Sequence, residues 1–105
     1  MTAKEFLLGL PTKVSPQAIE GLETIFHFDI DGDEGGQITL SVKDGVCEAS
    51  EGLLGAAKCV VRAKDKNLMK LLKGDVNPMM ALLTGQLKIS NQSEMLKYAK
   101  IFGLM

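Results

Sequence analysis

A chain of 105 residues has the length of one domain, and 46% hydrophobic against 24% charged residues suits a packed one. Aromatics are only 5% and Trp is absent, so the apolar content is aliphatic, with 15 Leu and 6 Met. The net charge of −1 and pI of 5.8 lack the basic balance of a nucleic-acid domain, whose pI exceeds about 9, and no nucleic-acid partner is expected. The longest apolar run, Met79 to Leu83, falls far short of the roughly 18 residues of a membrane span. Phe6 to Leu10 is too short for a secretory h-region and stops at Pro11, so the expected location is cytoplasmic. Cys47 and Cys59 form no Cys-x-x-Cys pair and no disulfide framework; they read as buried thiols.

The near-zero charge hides an asymmetry. Residues 1–57 hold ten acids against Lys4, Lys13 and Lys43, whereas residues 58–105 hold nine bases against Asp65, Asp75 and Glu94. In the basic half Lys70, Lys73, Lys97 and Lys100 can guide an anionic head or a transient membrane contact.

Thr2 to Glu5 has the spacing of a capping box and predicts a short helix to about Leu8. Ser15-Pro16 starts a second helix, as N-cap and first helical residue, closed by Gly21. The period then changes to two: Phe26, Phe28 and Ile30 alternate with His27 and Asp29, and Ile38, Leu40 and Val42 with Thr39, Ser41 and Lys43. Gly32 to Gly36 is the first turn and Asp44-Gly45 a two-residue hairpin. A third strand runs from Val46 to about Ser50 and a fourth from Lys58 to Arg62. Residues 51–57 between them are too long for a tight hairpin, so the fourth strand is expected to cross over rather than lie beside the third.

The last third is helical. Asp65 caps a helix with Leu68, Leu71 and Leu72 on one stripe and Gly74 as its stop. Asn77-Pro78 starts another helix that Gly85 ends, and Gln86 to Ser90 is a short strand with Leu87 and Ile89 inward. Asn91 and Glu94 repeat the capping-box spacing before a final helix with Met95, Tyr98, Ala99 and Phe102 on one side. All of this fits a single domain over residues 1–105.

Catalytic and metal chemistry find little support. His27 is the one histidine, expected to face solvent on the alternate face of a strand, without a nucleophile elbow or a partner at metal-ligand spacing. Asp29, Asp31 and Asp33 are spaced like the first ligands of a calcium loop, but the sixth and twelfth positions are Glu34 and Leu40, so an acidic hairpin loop is the better reading. No nucleotide loop opens a helix. The chain is expected to have no cofactor and no catalytic activity of its own.

Met79 to Leu83 is apolar around most of its helix, which implies burial on more than one side. Few elements in so small a domain can supply the second cover; a bound apolar ligand or a partner subunit would. The segments Asp65–Gly74, Asn77–Gly85 and Gln86-Leu87-Lys88-Ile89, with the hairpin before them, resemble the sterol carrier protein 2 domain over nearly the whole chain. Gln86 departs from the Lys common there, and the carboxyl end Gly-Leu-Met departs from the peroxisomal signal of many eukaryotic members.

The resemblance implies an α+β fold: a five-stranded mixed, largely antiparallel sheet with helices packed on one face, enclosing an apolar tunnel. It also implies fatty acids, fatty acyl-CoA, sterols or similar lipids as ligands and no catalysis. The expected tunnel residues are Phe28, Leu40 and Val42 from the sheet, and Leu68, Leu72, Met79, Leu82, Leu83, Met95, Ala99 and Phe102 from the helices. Two alternatives use the same apolar surplus: a homodimerising interaction module, and an accessory that presents substrate to a separate lipid enzyme.

Overall fold

Period-two alternation in β1, Thr24–Asp31, puts Thr24, Phe26, Phe28 and Ile30 on one buried face. This computed structural model describes residues 2–73, 75–99 and 101, apart from the side chains of Pro78 and Ala99. Strands β2, Gly36–Lys43, β3, Val46–Glu51, β4, Cys59–Lys64, and β5, Leu87–Ile89, complete a sheet in the order β3-β2-β1-β4-β5. The β1–β2, β2–β3 and β4–β5 pairs are antiparallel and β1–β4 is parallel. The expected crossover is therefore present, with β4 beside β1. Register aligns Phe26 with Leu40 and Cys59, and Phe28 with Ile38 and Val61, so one apolar row continues across three strands.

Asp44-Gly45 forms the β2–β3 turn with φ of 53° and 75°, the positive values a two-residue primed turn requires. The β1–β2 turn is held differently. Asp65 accepts a hydrogen bond from the Glu34 backbone N–H at 3.0 Å and another from its neighbour Lys66 at 2.7 Å. Asp65 is the first residue of its helix rather than the N-cap expected from sequence; Lys64 takes that place without a side-chain bond. Its carboxylate caps outward, onto the turn, because the turn comes close enough to supply a donor.

The four α-helices of the described residues lie against the apolar side of the sheet. Helix α1, Ala3–Gly9, carries the complete capping box of Thr2 and Glu5 and packs on β2 and β3. Helix α2, Asp65–Leu72, packs on α1, β1 and β4; α3, Pro78–Leu83, on β5; and α4, Gln92–Ala99, on β4. Asn77 caps α3, accepting from the Met79 N–H at 2.8 Å.

Two expectations need correction. The Ser15-Pro16 helix is one 3-10 turn, Pro16–Ile19, and the Ser15 hydroxyl donates to Gln17 instead of capping the backbone. The four residues between Pro16 and Gly21 leave no room for a continued helix. The Asn91–Glu94 box is half made. Asn91 accepts from the Glu94 N–H, but the Glu94 carboxylate is taken by Thr24. The Gly74 stop lies outside the described residues.

The opposite sheet face is polar, and the crossover segment 52–58 lies over part of it. The Leu54 N–H donates to Thr39 Oγ1 at 2.8 Å, and the Thr39 hydroxyl donates to the Gly52 carbonyl at 2.7 Å. His27 Nε2 lies 2.9 Å from the Leu54 carbonyl, a bond made by the tautomer protonated there. His27 is thus half-buried beneath this strap, not the solvent-facing histidine expected.

Gly32 tests the turn that Asp65 holds. It has φ of +111°, and a Cβ there would meet the Asp65 carboxylate, whereas Gly21, at +76°, faces open space. Gly32→Ala should cost on the order of 2 kcal/mol or more and Gly21→Ala about 1 kcal/mol in urea denaturation. Equal losses would contradict the contact.

Candidate functional site

The apolar side of the sheet and the helices above it enclose one continuous cluster. Phe26, Phe28, Leu40 and Val42 rise from the sheet, and Leu68, Met95 and Tyr98 descend on them from α2 and α4. The Phe26 and Phe28 rings stack with centroids 6.0 Å apart, and Tyr98 meets Phe26 edge-on at 5.7 Å. Of the residues proposed from sequence, the structure brings Phe28, Leu40, Val42, Leu68 and Met95 into this cluster, and Leu72 packs on its margin. Ala99 and Phe102 are proposed tunnel residues that lie outside the described residues and side chains.

Helix α3 behaves differently. Its Ala81 is buried in the cluster and Leu82 is half-buried, but Met79 is 56% exposed, Met80 56% and Leu83 77%. Among the described residues, the helix expected to be covered on more than one side is covered on one. With six residues, α3 is too short for a wide apolar stripe to find a second partner inside a single-sheet domain. Met79 and Leu83 therefore stand on the uncovered flank of the cluster, with Met80 beside them, a residue the sequence reading passed over. Tyr98, Phe26 and Cys59 were also passed over as site residues; the i, i+3 spacing from Met95 and the alternation of β1 are the signals that reach the first two.

A polar seam fixes α4 over this interior. Thr24 Oγ1 donates to Glu94 Oε2 at 2.6 Å across 70 residues of chain. Cys59 Sγ donates to the Asn91 carbonyl at 3.5 Å, and Asn91 Nδ2 to the Lys58 carbonyl at 3.0 Å. Burial pushes the Cys59 thiol up from its ordinary value, and burial followed by the nearby Glu94 charge does the same to Tyr98. A raised thiol is a poor nucleophile. Among the described residues, no group of three His, Cys, Asp or Glu side chains could hold a metal ion.

A family model described as the SCP-2 sterol transfer family matches residues 4–102. The chain belongs to that family. It is accordingly a lipid-binding or transfer domain, and the α+β fold agrees. The Hydroxysteroid dehydrogenase-like protein 2 of Xenopus tropicalis is 29% identical over 104 residues, which is 97% of this chain and 25% of that protein. The chain thus spans about a quarter of the curated relatives it matches. Two solved structures share the fold. Palmitated SCP2L2 from Aedes aegypti has a TM-score of 0.76 at 14% identity, covering 97% of this chain and 95% of that one. A stereoselective inverting sec-alkylsulfatase from Pseudomonas sp. has a TM-score of 0.79 at 20% identity, covering 100% of this chain and 16% of that one. No helix of the SCP2 domain among the described residues is long and apolar enough to cross a membrane.

The Tyr98 environment predicts a pH dependence. Below an ordinary tyrosine value of 10.0 the phenol is neutral in both states and its contribution is intact. Above it the unfolded chain releases the proton while the folded chain retains it, so stability falls as pH rises, until the raised folded value is passed. Between pH 9 and 11 the urea midpoint of the wild type should fall more steeply than that of Tyr98→Phe. Parallel curves would contradict the buried, Glu94-facing phenol.

Proposed function

We propose that this chain is a non-catalytic cytoplasmic lipid carrier. Its ligand, a fatty acid, fatty acyl-CoA or sterol-like lipid, would occupy a tunnel between sheet and helices and complete the cover of α3. The observation that carries this reading is the row Met79, Met80 and Leu83, exposed on a helix whose other side joins the apolar cluster. Exposed apolar rows on a domain this small mark a binding surface. Phe28, Leu40, Val42, Leu68, Leu72 and Met95 form the inner wall in this proposal, and Met79, Leu82 and Leu83 the flank that closes on the ligand.

The energetics suffice. A buried methylene contributes about 0.8 kcal/mol, so a sixteen-carbon chain yields roughly 12 kcal/mol gross. Lost ligand freedom removes several kcal/mol, leaving micromolar to nanomolar affinity. Methylenes discriminate little between ligands, so a broad range is expected. The palmitated relative from Aedes aegypti supports the choice of a fatty acid as first probe.

A second reading is favoured by the longer relatives. The domain makes up a quarter of a dehydrogenase-like protein and 16% of a sulfatase, a pattern that suits presentation of an apolar substrate to a separate catalyst. Both readings need the same lipid-binding surface.

Because the chain has no Trp, Leu83→Trp installs a unique reporter at an exposed position that the fold does not need. Palmitate should shift its emission to shorter wavelength and raise the Tm. A shift that follows protein concentration and ignores palmitate would assign the surface to a second copy of the chain. No shift under either condition would remove the α3 flank from the site.

A further inference from the structure

The charges of this chain are mixed beside the helices and sorted on the polar face of the sheet. Lys66, Lys70 and Lys73 share a cleft of about 400 Å³ with Glu34, Asp65 and Asp75, so its charges cancel. Lys70 and Lys73 thereby lose the expected role of guiding an anionic head. On the polar face two concavities occupy diagonal corners. One, of about 440 Å³, lies over β1, β2 and β3 beside the Asp44-Gly45 turn. There Glu23, Asp44 and Glu48 outnumber Lys43, and Ile25 and Val46 supply apolar wall. The other, of about 380 Å³, lies at the far end of β4 and β5, where Arg62, Lys64 and Lys88 outnumber Asp31. Arg62 stands directly opposite Lys88, an arrangement that destabilises a strand pair. Asp29 relieves Arg62 only in part, at 3.7 Å, and among the described residues no ion pair holds Lys64 or Lys88.

The strap lies between the two corners. Its backbone is pinned where Leu54 bonds Thr39 and His27, while the Leu53 and Leu54 side chains remain 41% and 55% exposed. On one side a Cβ at Gly55 would touch Ile25 of the acidic corner. On the other, Asp29 follows His27 along the same face of β1 and reaches Arg62 of the basic corner. An apolar centre therefore separates a negative corner from a positive one. Such a surface is complementary to itself. A half-turn about an axis that lies in the plane of the face, through the strap and at right angles to the line joining the corners, superposes a second copy face to face. Each acidic corner then meets the other copy's basic corner, and the exposed leucines meet each other. An apolar centre inside a charged rim is also the common anatomy of a protein interface.

We propose that the polar face is a self-association surface, on which two copies of this chain pack about a two-fold axis at the strap. The apolar side, with α3 and the carrier reading that uses it, stays outside this interface. Two leucines per copy and a solvated charged rim make a weak contact, with Kd on the order of 100 µM. The chain is then a monomer at low micromolar concentration and a dimer near millimolar.

Sedimentation of the full chain from about 10 µM to about 1 mM tests this. The wild type should pass from monomer to dimer over that range, and raising salt from about 50 to about 300 mM should weaken the dimer at least about threefold. Lys64→Glu/Lys88→Glu makes both corners negative, and Glu23→Lys/Glu48→Lys makes both positive. Each variant alone should lose at least about tenfold in self-association, whereas an equimolar mixture of the two should associate as the wild type does, because every corner again meets its opposite. Leu54→Ser, at the exposed centre, should weaken the dimer without reversing a charge. A wild type that stays monomeric to about 1 mM overturns the proposal. A dimer that persists in both charge variants places the contact elsewhere and overturns it too, as does a mixture of folded variants that fails to associate. Far-UV circular dichroism establishes folding; where a charge variant is unfolded, Leu54→Ser decides, and an undiminished dimer in it overturns the interface.

Discussion

The register of β1 is the constraint on which the rest depends. It pairs with β2 on one side and β4 on the other, one antiparallel and one parallel, and its Phe26 and Phe28 sit in line with the buried residues of both. A slip of one residue would turn these aromatics toward the strap and bring His27 and Asp29 under the helices. The parallel β1–β4 pair also requires the chain to cross over between β3 and β4. That crossing lays residues 52–58 over the polar face, and all four α-helices remain free to cover the apolar one.

Once the helices share one face, their lengths decide what stays open. Helices α2 and α4 have eight residues each and bury Leu68, Leu71, Met95 and Tyr98. Helix α3 has six and buries Ala81. Among the described residues its Met79, Met80 and Leu83 stay exposed. Meanwhile α4 is secured at its amino end by Thr24–Glu94 and by Asn91 against β4. Polar bonds fix one end of the cover and aliphatic side chains form the other. In the proposed carrier, the flexible, unbranched side chains of Met79 and Met80 would let this surface adapt to ligands of different shape while α4 holds its place on the sheet.

Much of this was legible in the sequence because it is local. Alternation in Phe26–Ile30 and Ile38–Val42 marked two strands and their inner faces, Asp44-Gly45 marked the primed turn, and the length of residues 51–57 predicted the crossover. What escaped was set by contacts between distant residues. Asp65 looked like a helix cap because its donor, Glu34, is 31 residues away. His27 looked exposed because the strap that covers it is 27 residues on. The same holds for the site. The burial of Phe28, Leu40, Val42, Leu68 and Met95 in one cluster followed from periodicity, but the exposure of Met79 and Leu83 depended on how few elements surround α3. The opposition of Arg62 and Lys88 could be seen only once β5 was placed against β4.

In the proposed carrier the aliphatic surplus of this chain serves as the wall of a lipid site and not only as a core. Native mass spectrometry of freshly purified protein, followed by delipidation and incubation with palmitate, addresses it most directly. A carrier should appear as a monomer with one dissociable lipid per chain, or as a bare monomer that takes up one palmitate. A monomer that remains bare under both conditions would contradict it.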